Sequence, residues 1–183
     1  MLDADRIVHD LYRPGHDGAR AIAEEFGPEY LDETGAVDRT RLAEHVFSDP
    51  ARVARLNARI HPLVHEAQRR WFGALEHSGQ TLGVAEATLL LESGGRERYD
   101  VVVTVSAPEE MRLVRAMRRS PGSNEAELRR RMENQLSDAA REKVADFVIV
   151  NDGSEVDLTR KAEALANDLK TRLKAFPGSP TPS

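Results

Sequence analysis

Three short apolar runs interrupt a chain that otherwise follows helical periodicity. They are LGVAE at 82–86, DVVVTVS at 100–106 and DFVIVN at 146–151. Polar or turn residues bound each run, and the last two are rich in valine or isoleucine. Near-continuous apolar runs of this length predict strands buried on both faces, the habit of parallel sheets covered by helices. A helix is predicted after each of the last two. In SAPEE, Ser106 caps, Pro108 suits the first turn and Glu109 completes a capping box. In NDGSEVD, Ser154 with Asp157 repeats the device and opens a helix to about Ala175.

Residues 16–77 are predicted to be helical, broken by FGPEY, DETG and SDP, with Asp49 or Ser48 capping and Pro50 starting a turn. Residues 109–135 read as a helical hairpin interrupted by SPGSN. The opening MLDADRIVHDLY looks like a strand-to-helix turn, with a strand ending in 1–3 and a helix over 6–12. The fold class is therefore α/β: a parallel sheet covered by helices in a three-layer sandwich. One domain is expected over 1–175. It carries a helical substrate subdomain at about 16–77, an arginine-rich lid at about 112–137 and a disordered tail at 176–183. That is the outline of a nucleotide kinase.

Composition narrows the classes. A 40% hydrophobic and 31% charged chain of 183 residues suits one globular domain. A net charge of -5 argues against general nucleic-acid binding. With no cysteine there is no disulfide, thiolate nucleophile or Cys-based zinc site. No apolar run nears the ~20 residues of a membrane span, and no signal-peptide pattern precedes the first acids, so a cytoplasmic protein is the expectation.

Seven arginines (112, 115, 118, 119, 129, 130 and 131) surround the Pro-Gly turn of the hairpin. Arg115 and Arg119 stand one turn apart, as in a mobile lid whose guanidiniums meet phosphates bidentately. A solvated helical face partly neutralised by Glu125, Glu127 and Glu133 is the alternative. His61 stands before Pro62, where one helix is expected to end or another to begin. His65 shares a face with His61, but no third metal ligand follows at a suitable spacing, which favours a structural or ligand-contacting histidine. Glu86 ends a buried strand, where open α/β sheets bind ligands, and suits Mg²⁺ held through water. Glu92 follows it, with a helix or turn salt bridge as its alternative. Asp3 and Asp5 stand at the same mouth, placed to accept a proton from an attacking hydroxyl or to cap the helix at 6–12.

Taken in order, these stretches resemble dephospho-CoA kinase. The resemblance covers about residues 2–170. It runs through DADRIVHDLY, PG at 14–15, FG at 26–27, DRTRL, VFSDP, LNARIHPLV, LLLESG, YDVVVTVSAPEEMRLVRAMRR, ENQLS and ADFVIVNDGS. It implies ATP as co-substrate with Mg²⁺, and γ-phosphoryl transfer to the ribose 3′-hydroxyl of dephospho-CoA. Asp5 becomes the base, with Arg115 and Arg119 as catalytic and ATP-binding lid residues. Asp3, Arg39, Asn57, His61, Pro62 and Glu92 fall on the substrate side. Asn151 and Gly153 lie near the adenine, and Glu86 at the metal. The family usually has proline where Thr88 stands and glutamine where Arg112 stands.

The family also begins with a strand, a G-x-x-x-x-G-K-[ST] loop and a helix, and no such loop occurs in the 183 residues; SGGRER at 93–98 lacks both lysine and spacing. MLDADR is therefore expected to be the second strand of such a kinase, with a unit of roughly 30 residues absent ahead of it. The 183 residues by themselves are expected to have negligible activity and marginal stability. Two other readings stand beside the kinase: an inactive CoA- or nucleotide-binding homologue, and a different small-molecule kinase with a similar lid.

Overall fold

A strand of two residues, β1 (Leu2–Asp3), runs straight into α1 (Ala4–Leu11). The junction is set by Asp3, whose carboxylate accepts the amides of Asp5 at 2.8 Å and Arg6 at 3.2 Å. Those amides have no partner inside the helix, which is why an N-terminal acid is favoured there. The computed structural model describes residues 1–92, 94–133 and 135–175, so the expected tail at 176–183 lies outside the described residues. It divides into two compact units, Met1–Thr88 and Leu89–Ser183.

In the first unit α1 is followed by α2 (Asp17–Phe26), a 3₁₀ turn at Pro28–Tyr30, α3 (Arg39–Val46), α4 (Pro50–His77) and β2 (Ala85–Glu86). Asp38 caps α3 through the amide of Arg41, and Asp49 caps α4 through that of Ala51, with Pro50 as the first helical residue. Helices α1, α2 and α3 pack against α4. The core between them is Ile7, Ala19, Ile22, Val37, Leu42, Val46, Ile60 and Val64, with Ile22 and Val46 wholly enclosed. Gly18 permits the close approach of α1 and α2, since a Cβ there would lie 2.7 Å from the carbonyl oxygen of Leu11. Glu25 of α2 clamps α4 by accepting from Arg55 at 2.6 Å and Arg59 at 2.8 Å. Those two bonds hold its carboxyl below the usual carboxylate range.

Pro62 does not break the helix as expected; it lies inside α4. An interior proline removes one hydrogen bond and costs about 3 kcal/mol. Ile60, Val64 and Gln68 recur at a spacing of four on the buried side of α4. Burying an aliphatic side chain returns about 1.5–3 kcal/mol, so this face carries the helix through.

The predicted strand at 82–86 is reduced to Ala85–Glu86. It pairs in parallel with β1, Leu2 opposite Ala85 and Asp3 opposite Glu86, and β1 offers only these two residues to pair with.

The second unit contains β3 (Val103–Ser106), α5 (Glu109–Arg119), α6 (Glu125–Glu133), α7 (Asp138–Val144), β4 (Phe147–Val150) and α8 (Glu155–Ala175). Strands β3 and β4 are parallel, Val103 opposite Phe147 and Ser106 opposite Val150. Helices α5 and α6 form the expected hairpin, while α7 packs on β3 and α8 on β4. At the start of the pair, Asp146 accepts from the Val102 amide at 2.7 Å and from Arg96 at 2.9 Å. The Ser154–Asp157 capping box forms as read: the Asp157 amide donates to the Ser154 hydroxyl oxygen and the Ser154 amide to the Asp157 carboxylate.

Two expectations fail here. Ser106 does not cap α5: Pro108 occupies the N-cap position without a side-chain bond, because Ser106 is spent as the last residue of β3. The strands are also not buried on both faces; Val103, Val105, Val148 and Val150 are 36%, 56%, 41% and 41% exposed within a two-stranded sheet. An apolar run predicts burial only where enough neighbouring elements exist to cover it. Strands β2 and β3 belong to different two-stranded sheets.

Candidate active site

Parallel pairing brings the carboxyl ends of β1 and β2 side by side, and with them four polar residues. Asp3 and Glu86 are register partners. Asp5 follows in the first turn of α1, where the helix N-terminus favours negative charge. Thr88, two residues beyond β2, donates its hydroxyl to Oδ2 of Asp5 at 3.3 Å. All four are exposed. Asp3 is engaged as the α1 cap through Oδ1, whereas Asp5 keeps most of its acceptor capacity. Among the described residues no group of three metal-ligating side chains assembles. Glu86, exposed and opposite Asp3 in the register, carries hard carboxylate oxygens.

The helical segment places the other substrate-side candidates. Arg39 opens α3 and Asn57 is exposed on α4. His61 and His65 lie one turn apart on α4 with ring centroids at 6.0 Å, tilted by 36°. Tyr12, beside Arg39, was not singled out in the sequence. Burial pushes its phenol up to about 12 while the guanidinium of Arg39 pulls it down.

In the second unit the arginines divide. Arg129 is paired with Glu110 and Glu125, and Arg131 with Glu127, which is the neutralised face considered above. Arg112 reaches Asp138 at 3.1 Å. Arg115 donates to the backbone oxygen of Asn151 at 2.9 Å, and Arg119 is exposed with no ion pair among the described residues. The amide of Asn151 donates to Ser106 O at 2.7 Å, tying the end of β4 to that of β3. At Gly153 a Cβ would meet Asp157 Oδ2 at 3.1 Å. Among the described residues Glu92 makes no salt bridge; its Oε1 accepts from the amide of Leu136 at 3.0 Å and anchors the chain between α6 and α7.

Lys161 and Asp138 escaped the reading of the sequence. Lys161 sits on the second turn of α8 and donates to Val150 O at 2.6 Å and Asp152 Oδ1 at 3.2 Å. The available signal was its position seven residues after Ser154, on a helix that begins at the turn it reaches.

The family model of dephospho-CoA kinase matches residues 1–157. A dephospho-CoA kinase of Frankia casuarinae is 39% identical over 175 residues, covering 96% of this chain and 75% of the relative. One from Syntrophotalea carbinolica is 40% identical over 154 residues, covering 84% of this chain and 72% of its own length. Among solved structures, TT1252 from Thermus thermophilus superposes with a TM-score of 0.74 at 31% identity, over 92% of this chain and 83% of that one. The dephospho-CoA kinase of Campylobacter jejuni shares the fold, with a TM-score of 0.65 at 23% identity over 92% of this chain and 83% of its own. No helix of the described residues is long and apolar enough to cross a membrane. The chain belongs to the dephospho-CoA kinase family.

Proposed function

We propose that the chain serves the transfer of the ATP γ-phosphoryl group to the ribose 3′-hydroxyl of dephospho-CoA, with Asp5 as the base. The observation that carries this reading is the β1–β2 register, which sets Asp3 and Glu86 side by side and leads directly to Asp5 and Thr88. In the reaction the 3′-oxygen attacks the γ-phosphorus, a new P–O bond forms, and the bond to the β,γ-bridging oxygen breaks to release ADP. The hydroxyl proton passes to the Asp5 carboxylate, which the Thr88 hydroxyl contacts weakly at 3.3 Å. Because the transition state is loose, most of the acceleration comes from positioning and charge. Arg119, exposed and unpaired among the described residues, is available to the phosphate oxygens. Glu86 would hold Mg²⁺ through water, and that ion supplies charge neutralisation at the phosphates. The α1–α4 helices, with Arg39, Asn57, His61 and Pro62, take the pantetheine-bearing substrate.

Phosphoryl transfer also needs a G-x-x-x-x-G-K-[ST] loop to cradle the ATP phosphates, and none lies among these 183 residues.

The test joins these residues to a strand, such a loop and a helix, and follows ADP and CoA formation from ATP and dephospho-CoA. Asp5→Asn is expected to lower kcat by about 10²–10⁴-fold with ATP affinity kept within a factor of about two. An unchanged kcat would reduce Asp5 to an acid of the first helical turn.

A further inference from the structure

The turn after β4 is pinned from three elements at once. From β3, Ser106 O accepts the amide of Asn151 at 2.7 Å. From α5, Arg115 donates to Asn151 O at 2.9 Å. From α8, Lys161 donates to Val150 O at 2.6 Å and to Asp152 Oδ1 at 3.2 Å, and its ammonium keeps the Asp152 carboxyl below the usual range. The far end is closed by the Ser154–Asp157 box. Two successive carbonyls, 150 and 151, are thus each held by a cation from a different helix. An occupied carbonyl resists rotation of its peptide plane, because rotation exchanges a charge-assisted bond for solvent. An exposed lysine ordinarily keeps its rotamer freedom, and ordering one costs up to about 2 kcal/mol. Lys161 gives up that freedom for two residues of one turn, Val150 and Asp152.

We propose that Lys161 is a positioning residue for the nucleotide, holding the 150–153 turn, jointly with Arg115, in the shape against which the purine base rests. The proposal rests on the reading that this turn meets the adenine of ATP. It also assigns Arg115 a second task, bracing the turn through Asn151 O. The rest of α8 does not depend on Lys161: its capping box is separate, and Arg172 packs over the Phe147 ring at 5.6 Å.

The test is a titration of the ¹⁵N-labelled 183-residue chain with ATP, followed through backbone amide shifts. In the wild type the amides of Asp152 and Gly153 are expected to move. Lys161→Met should weaken ATP binding about 5–10-fold while dephospho-CoA affinity stays within a factor of about two, and Lys161→Arg should recover most of the loss. A merely structural lysine would weaken both ligands together or neither. Equal ATP affinity in Lys161→Met, with the same amides shifting, overturns the proposal and leaves the turn as the nucleotide site. ATP that leaves the wild-type amides of 151–153 unmoved overturns the reading of the turn, and the proposal with it. Should Lys161→Met lose the fold, Lys161→Gln carries the same comparison with the stem retained and the charge removed.

Discussion

The hydroxyl of Thr88 reaches Oδ2 of Asp5 across 3.3 Å, linking the end of β2 to the first turn of α1 over 83 residues of sequence. Hydroxyl–oxygen bonds centre nearer 2.7–2.8 Å, and both groups are exposed, so this one is weak. Thr88→Val should therefore change stability by no more than about 0.5 kcal/mol and kcat by no more than about three-fold. A loss of an order of magnitude or more would make the threonine an essential partner of the base. Melting curves and steady-state rates on the variant decide it.

Phosphoryl transfer depends on a phosphate cradle, and none is encoded among the 183 residues. Assayed by itself, this polypeptide is expected to form ADP in response to dephospho-CoA at least ~10²–10³-fold more slowly than the same residues joined to a strand, G-x-x-x-x-G-K-[ST] loop and helix. Equal rates would mean that other residues here supply the cradle.

Pro62 stands inside α4, where it cannot donate to the carbonyl of Ala58. Pro62→Ala should stabilise the first unit by about 1–3 kcal/mol in denaturant titrations. If the proline shapes α4 for the substrate, dephospho-CoA affinity should fall about 3–10-fold in the same protein. A more stable variant with undiminished affinity would separate Pro62 from binding.

The Tyr12 phenol, raised to about 12 by burial, gives a defined alkaline response. Its folded value lies above the 10.0 of an unperturbed tyrosine, so the folded state holds the proton more tightly. That stability is complete below about pH 10 and is lost as pH climbs through about 12, a difference of about 2–3 kcal/mol. Tyr12→Phe should flatten the fall between about pH 10 and about pH 12. Parallel slopes for the two proteins would remove Tyr12 from the alkaline transition.

What the sequence reveals here follows the range of the interactions. Caps act over two or three residues, so Asp49–Pro50 and the Ser154–Asp157 box were legible, as was the strand-to-helix turn at Asp3. The β1–β2 mouth was legible as well, because residue type at the end of an apolar run carries the signal. Pro62 was misread because its local penalty is set against the burial of Ile60 and Val64, which depends on α1 to α3. Ser106 was misread because β3 claims it. Glu92 with Leu136, Thr88 with Asp5 and Lys161 with Val150 join residues 44, 83 and 11 positions apart, and no local pattern announces such partners.

The most direct measurement is calorimetric titration of the 183-residue chain with dephospho-CoA and, separately, with MgATP. The residues assigned to dephospho-CoA include Asp5 and those of α1–α4, whereas those assigned to ATP are the lid arginines and the turn at 151–153. One dephospho-CoA is expected to bind per chain, more tightly than MgATP. Tight MgATP binding with no affinity for dephospho-CoA would contradict this assignment.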